Sequence, residues 1–117
     1  MFDFENFNVY QRSEQFYCEV LKILKNKEID KELKDQLKRA SMSIVLNIAE
    51  WAWKYSKNDK KNFYVIARWS FNECVAIYRI LKLENKILDI DFNTWYNLML
   101  EIAKMLSSLI SSIINNK

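Results

Sequence analysis

The sequence predicts an all-α protein: an antiparallel up-down-up-down four-helix bundle, forming one domain over residues 1–117 and assembling as a homo-oligomer. Glycine and proline, which sheets use at turns and bulges but helix interiors avoid, are both absent. Half of the residues are hydrophobic and 15% are aromatic, enough apolar material for a core. The apolar residues recur at helical spacing in four segments, and the short breaks between them favour antiparallel neighbours.

The first two helices are predicted from their apolar faces and a capping residue. Helix one runs from about Asn8 to Asn26. Helix two begins after Asp30, a favourable N-cap, and runs to about Tyr55. The residues of helix one expected to face the core are Phe16, Val20, Ile23 and Leu24. The stripe of helix two expected to do the same is Leu33, Leu37, Ala40, Ile44, Ile48, Trp51 and Tyr55.

The last two helices have capping signals of their own. Ser56 followed by Asp59 is a capping box, so helix three starts there and runs to about Asn85. After the break "ENKILDID", Asp91 is expected to cap helix four. The expected core residues of helix three are Phe63, Ala67, Ser70, Cys74, Ile77 and Leu81. Those of helix four are Phe92, Trp95, Met99, Ile102, Leu106, Leu109 and Ile113.

Composition limits the chemistry that the chain can do. It has no histidine, the commonest general base and metal ligand, and no carboxylate cluster with metal spacing. We therefore expect neither an enzyme nor a bound cofactor or metal. Cys18 and Cys74 lie among apolar residues and are expected to be reduced core thiols of a cytoplasmic protein. We expect no signal peptide and no membrane span, because the N-terminus is acidic and no uncharged apolar stretch is long enough.

Helix two carries a second apolar stripe on the side opposite the first. A lone bundle would leave this stripe in water, and exposed apolar patches usually mark an interface. We therefore predict that it is the surface through which copies of the chain associate. Its residues are Met42, Val45, Leu46, Ala49 and Trp53.

A line of polar residues separates the two stripes: Arg39, Ser43, Asn47 and Glu50. Polar groups with apolar surface on both sides are expected to be buried or half-buried, and they then need partners. If helices two and three form a hairpin, Ser70 and Glu73 come level with this line. We expect bonds from Glu50 or Asn47 to helix three, and an ion pair between Arg39 and Glu73. A structural role is favoured over a catalytic role for Glu50.

Helix three carries a basic stripe on its other side. Its members are Lys61, Arg68, Arg79, Lys82 and Lys86, with Tyr64 among them and with Lys54, Lys57 and Lys60 near the hairpin tip. About 25 residues of helix run roughly 38 Å, enough to follow a nucleic-acid backbone. One interpretation is a phosphate-binding surface for RNA or DNA, with Tyr64 placed to stack on a base. The other is an ordinary solvated face, in a chain whose net charge is only +3.

Residues 39–74, "RASMSIVLNIAEWAWKYSKNDKKNFYVIARWSFNEC", resemble the signature of a family of small four-helix bundles. That family includes proteins encoded in ribosomal-RNA intervening sequences and the accessory variability determinants of diversity-generating retroelements. The opening "FENFNVYQRSEQF" also resembles the family's first helix. The residues that match its pattern are Arg39, Ser41, Ser43, Ile44, Asn47, Ile48, Ala49, Glu50, Phe63, Ala67, Arg68, Ser70 and Glu73.

The resemblance implies a homopentamer with a basic surface that binds nucleic acid and a reverse transcriptase and does no chemistry. Trp51, Trp53 and Trp69 depart from the pattern, because they stand where the family usually has glycine. One hypothesis is that UGA codons meaning glycine were read as tryptophan. Engineering and true divergence are the alternatives, and the codons of the source gene distinguish them.

Two functions from different classes therefore remain. The first is a nucleic-acid-binding accessory subunit that works beside a reverse transcriptase or on structured RNA. The second is a structural or protein-interaction oligomer whose apolar second stripe recruits a partner and whose charge only provides solubility.

Overall fold

The computed structural model describes residues 3–53 and 57–115, and within these ranges the regular structure is entirely helical. A short 3-10 turn at Asp3–Asn6 precedes four α-helices. The helices are α1 (Asn8–Leu24), α2 (Lys31–Trp53), α3 (Lys57–Leu83) and α4 (Asp89–Asn115). The predicted all-α chain of four helices is confirmed for the described residues, while the division into one domain stays a prediction.

The helices form a closed ring in chain order. Each packs against its neighbour in sequence, and α1 also packs against α4. Arg12 Nε lies 3.0 Å from Glu101 Oε1, and the rings of Phe16 and Trp95 lie 5.8 Å apart between centroids. The contact nearer the start of α1, at Arg12, is the one nearer the end of α4, at Glu101. The two helices are therefore antiparallel. The bundle measures 49 × 28 × 23 Å along its principal axes.

The ends of the helices follow local chemistry, with two corrections to the sequence prediction. Asp30 lies at the N-cap of α2 as predicted, and its carbonyl accepts the Lys34 N–H at 3.1 Å. Helix α4 begins at Asp89 rather than after a cap at Asp91, and both carboxylates lie in its first turn, where the helix dipole favours negative charge. The capping box at Ser56 lies outside the described residues.

The second correction concerns the end of α3. The Lys86 N–H bonds to the Leu81 carbonyl at 2.9 Å, and the Asn85 N–H to the Lys82 carbonyl at 3.1 Å. These two bonds form a Schellman motif, which needs a left-handed residue and usually takes glycine. In a chain without glycine, Asn85 supplies that conformation with a φ of 57°. The helix therefore ends at Leu83, and Lys86 lies beyond it rather than on its basic stripe.

The predicted apolar faces do form the core. The expected core residues of all four helices are buried or half-buried wherever their side chains are described. Residues that the sequence prediction missed also contribute, because a helix face about 100° wide admits more positions than a single stripe. These additional core residues are Val9, Phe71 and Tyr78 on the helices; Ile29, in the connection between α1 and α2, is also buried in the core.

The two cysteines differ. Cys74 is buried, and loss of hydration raises the pKa of its thiol to about 12. Cys18 is exposed, so the prediction that both are core thiols is wrong for this residue. It lies two positions from each of the buried residues Phe16 and Val20, and two helical positions turn a side chain by about 200°, away from the core.

No helix in the described part of the chain is long and apolar enough to cross a membrane.

Candidate nucleic-acid interface

Among the described residues, the polar line on α2 bonds to α3 through Ser43 rather than through Asn47 or Glu50 as expected. Ser70 Oγ donates to Ser43 Oγ at 2.9 Å. Asn47 Nδ2 donates within its own helix, to the Ser43 carbonyl at 2.6 Å and to Ser43 Oγ at 3.0 Å. The short side chains of Ser43 and Ser70 therefore link the two helices. Asn47 orients Ser43, which accepts the hydrogen bond from Ser70. The predicted bond from Asn47 or Glu50 to α3 is not found among the residues whose side chains are described.

The charged members of the line are exposed rather than half-buried. Arg39, Glu50 and Glu73 all lie at the surface. Arg39 and Glu73 line one shallow depression, yet no ion pair joins them, so that prediction is also wrong. Glu32 and Asp35 line the same depression beside Arg39. Exposed pairs of this kind gain little from a fixed geometry.

The second apolar stripe lies at the surface of the chain, as its position on α2 predicts. Met42 is 40% exposed and Leu46 is 58% exposed, while Val45 and Ala49 are half-buried. The side chain of Trp53 lies outside the described part of the structure. Whether copies of the chain cover this stripe stays a prediction.

Helix α3 adds to this apolar surface, which the sequence analysis did not foresee. Ile66 is 39% exposed and Trp69 is 68% exposed. Trp69 precedes Ser70, which bonds to α2, so exposed apolar residues flank the seam on both helices. Of the tryptophans that depart from the pattern the resemblance implies, Trp51 is buried in the bundle and Trp69 points outward. The sequence did contain a signal for these α3 residues. Ile66 and Trp69 are three residues apart, so they lie on one face of the helix, beside the core positions Ala67 and Ser70.

Four of the predicted basic residues lie exposed on α3: Lys61, Arg68, Arg79 and Lys82. Lys60 is half-buried, with its Nζ 4.4 Å from the centroid of the Trp51 ring. The side chains of Lys54 and Lys57 lie outside the described residues. From Lys61 to Lys82 the helix rises roughly 32 Å at about 1.5 Å per residue, a little shorter than the predicted stripe.

The structure divides the stripe into two unlike ends. Arg79 and Lys82 lie near the end of α3, where Glu84, Asp89 and Asp91 follow along the chain, and Lys82 Nζ covers the Phe92 ring at 4.6 Å. That end carries both signs of charge. The other end is more uniformly basic, because Asp59 is the one acidic residue in positions 57–69.

Helix α4 contributes a basic residue that the sequence analysis missed. Lys104 is the one basic residue in Asp89–Asn115, and it lines a groove between α3 and α4 together with Tyr64 and Arg68. The Arg68 guanidinium carbon lies 5.9 Å from the centroid of the Tyr64 ring. A lone lysine in a largely apolar helix was the signal that could have identified it. We call Lys60, Lys61, Tyr64, Arg68 and Lys104 the basic tip.

The basic tip has the chemistry of a polyanion site. Its cations are on two helices that the core holds in place, so no chain segment has to order before they act together. An aromatic ring beside such cations offers a stacking surface for a base. Within the described residues, no group of three or more Cys, Asp or Glu side chains is placed to hold a metal ion.

Comparison with known proteins gives two matches of different kinds. The family described as "23S rRNA-intervening sequence protein" matches residues 5–108. A crystal structure from Bacteroides thetaiotaomicron, a protein of unknown function from the S23 ribosomal protein family, has 28% sequence identity and a TM-score of 0.80. The similarity covers 87% of this chain and 97% of that one. No protein of curated function matches the chain.

Proposed function

Because the chain belongs to the family of 23S rRNA-intervening sequence proteins, we propose that it is a non-enzymatic RNA-binding accessory protein. The observation that carries the proposal is the groove in which Tyr64 and Arg68 of α3 meet Lys104 of α4. The family's name connects it with RNA, and this groove is the part of the described surface best suited to a phosphate backbone.

The binding follows from the charge and from the lack of groups that read bases. Lys61, Arg68 and Lys104 neutralise phosphates and release counterions, so affinity falls steeply as salt rises. Contacts of this kind fix the position of a nucleic acid without selecting its sequence. We therefore expect broad binding of RNA and single-stranded DNA, with RNA structure rather than sequence as the main discriminator.

The active form proposed here is a homo-oligomer, with five copies as the family resemblance suggests. Exposure of Met42, Leu46, Ile66 and Trp69 supports it, because a monomer gains nothing from apolar side chains in water. Several linked copies would present several basic tips to one RNA. Multivalent contact of this kind strengthens binding without any new type of contact.

The resemblance to retroelement accessory proteins extends the proposal to a reverse transcriptase as a protein partner. Such a partner would bring the RNA held by the basic tip to an enzyme that copies it. Its test is co-purification of the oligomer with a reverse transcriptase encoded near its own gene, after nuclease treatment has removed bridging RNA.

The experiment that tests RNA binding compares two charge-reversed variants. The first carries Lys61→Glu, Arg68→Glu and Lys104→Glu. The matched control carries Lys25→Glu, Lys31→Glu and Lys38→Glu, which change the net charge by the same amount at exposed positions away from the basic tip. Both are titrated with labelled RNA and single-stranded DNA over a salt series, and circular dichroism checks their helix content.

We expect the first variant to lose binding at low salt and the control to retain it. Equal weakening of both would mean that net charge alone attracts the RNA. Failure of the folded, unmodified oligomer to bind at low salt would instead favour the second candidate, a protein-interaction oligomer. The exposed apolar residues on α2 and α3 favour that candidate, and the charge would then serve solubility.

A further inference from the structure

A cavity of about 750 Å³ opens at the end of the bundle beside the basic tip. Volumes in this range are typical of small-molecule sites, which are mostly apolar with a few polar groups. The walls come from the start of α1, the end of α2, the start of α3 and the second half of α4. The lining residues are Phe7, Asn8, Val9, Trp51, Lys60, Lys104, Met105, Ser108 and Leu109.

An exposed aromatic residue forms one wall of this cavity. Phe7 is 37% exposed, and its ring meets the Trp51 ring edge-on, with 6.4 Å between centroids and 68° between planes. Phe7 also occupies the N-cap of α1 and makes no side-chain capping bond. Serine, threonine, aspartate or asparagine at an N-cap typically stabilises a helix by about 1 kcal/mol. Phe7 therefore gives the cavity an aromatic wall at a position where a polar residue would have capped α1.

The charges at this cavity have the same sign and continue beyond it. Lys60 and Lys104 both line the cavity, and its described lining includes no carboxylate. Lys104 also lines the neighbouring groove of Tyr64 and Arg68. The cations therefore run without a break from the cavity into the α3–α4 groove. A ligand that fills the cavity and follows the groove needs an uncharged flat part for the apolar wall. It also needs more than one anionic group along a chain, to meet the lysines and Arg68.

We propose that the end cavity takes an unpaired nucleobase of a single-stranded RNA segment. The base contacts Phe7 and the apolar wall, and its flanking phosphates lie against Lys60 and Lys104. The strand continues along the groove towards Arg68. This inference rests on the proposed RNA binding and deepens it, because it selects unpaired over paired RNA. A base inside a duplex is stacked on both faces and enters such a cavity only after it is extruded.

Three RNA probes of equal length distinguish binding of the base from binding of the phosphate backbone. They are an oligoadenylate, an abasic ribose-phosphate chain with the same phosphates, and a fully paired duplex. The test variant is Phe7→Ser, which removes the aromatic wall and introduces a favourable N-cap, so α1 keeps its support. The matched control is Leu88→Ser, which likewise replaces an exposed apolar residue directly before a helix, but at the start of α4, away from the cavity.

We expect Phe7→Ser to weaken oligoadenylate binding about 5- to 150-fold, the range for loss of one base–aromatic contact. Its affinity for the abasic chain and its salt slope should stay unchanged, since no phosphate contact is lost. Leu88→Ser should bind all three probes like the unmodified chain.

Other outcomes overturn the inference in distinguishable ways. Equal affinity of the unmodified chain for oligoadenylate and the abasic chain would remove the base site but leave phosphate binding intact. Absence of binding to all three probes would remove the proposed function as well. Occupation of the cavity by a long-chain fatty acid, with no competition from RNA, would assign it to a different class of ligand.

Discussion

Tyr78 of α3 and Trp95 of α4 stack face to face in the centre of the bundle, with 3.6 Å between ring centroids and 9° between planes. Both side chains are almost wholly buried, and neither Tyr78 Oη nor Trp95 Nε1 finds a hydrogen-bond partner among the described residues. Burial without a partner raises the pKa of the Tyr78 phenol. The stack joins α3 to α4 and leaves two polar groups unsatisfied.

The first prediction concerns this unsatisfied hydroxyl. Tyr78→Phe keeps the ring and removes a buried group that has lost its hydration without gaining a bond. We expect the free energy of unfolding to rise by about 1 kcal/mol in urea denaturation. Ser70→Ala is the contrasting control, because it breaks the bond to Ser43 and should lower stability by about 1 kcal/mol. A loss of stability in Tyr78→Phe would mean that the hydroxyl is satisfied in solution.

The second prediction concerns the two thiols. In the native protein, a thiol reagent should modify the exposed Cys18 quickly and the buried Cys74 only after unfolding. A raised pKa means that the folded state favours the neutral thiol, so this contribution to stability is complete below the unfolded pKa. We expect it to fall from about pH 9 towards the folded pKa of about 12.

Urea titrations at pH 7 and at pH 10.5 check the alkaline part of this prediction. Cys74→Ala should reduce the loss of stability at high pH, whereas Cys18→Ala should leave it unchanged. Equal alkaline sensitivity of the two variants would assign the effect to other groups, such as Tyr78.

The third prediction concerns the tryptophans at family glycine positions. Trp51 is 7% exposed, so Trp51→Gly should lower stability by about 3–5 kcal/mol through the lost side chain. Trp69 is 68% exposed in the single chain, so Trp69→Gly removes little core packing and should cost less, about 1 kcal/mol of helix propensity plus its contact at the proposed interface. Thermal unfolding compares the two. A more stable Trp51→Gly protein would instead indicate that this position is built for glycine.

The fourth prediction concerns assembly. Light scattering should give a solution mass that is a multiple of 14.2 kDa, with five copies expected. Leu46→Glu places a charge on the exposed apolar stripe and should dissociate the oligomer without unfolding the chain. Glu50→Gln, an exposed change one turn away, serves as the control. A clean monomer at micromolar concentration would contradict the predicted interface.

The sequence specifies the fold well because helical periodicity is a local property. The core positions of α2 and α4 could be read directly, since each apolar stripe recurs every three or four residues. Cys18 was wrongly predicted to be buried because the prediction relied on its apolar sequence neighbours. Its angular position on the helix, about 200° from the buried Phe16, would have placed it at the surface. The start of α4 was placed three residues late because Asp89 and Asp91 both suit a helix N-terminus.

The candidate site was less predictable because its members belong to different helices. Lys104 is separated from Arg68 by 36 positions in the chain, and only the packing of α3 on α4 makes them line one groove. The cavity beside Phe7 depends on four helices at once. The Ser43–Ser70 bond also needed the register of α2 against α3, which the predicted hairpin gave only to within about one turn.

The closure of the helix ring has a consequence for folding kinetics. Three of the four helix interfaces join neighbours in sequence, and only the α1–α4 interface brings distant parts of the chain together. Chains dominated by local contacts form their transition states quickly, because little loop entropy is lost before contacts form. The α2–α3 hairpin, with its serine bond, can therefore assemble early, while the Arg12–Glu101 contact waits for the whole chain. While α3 has left the ribosome and α4 has not, the basic tip lacks Lys104, and the last helix completes it as it docks.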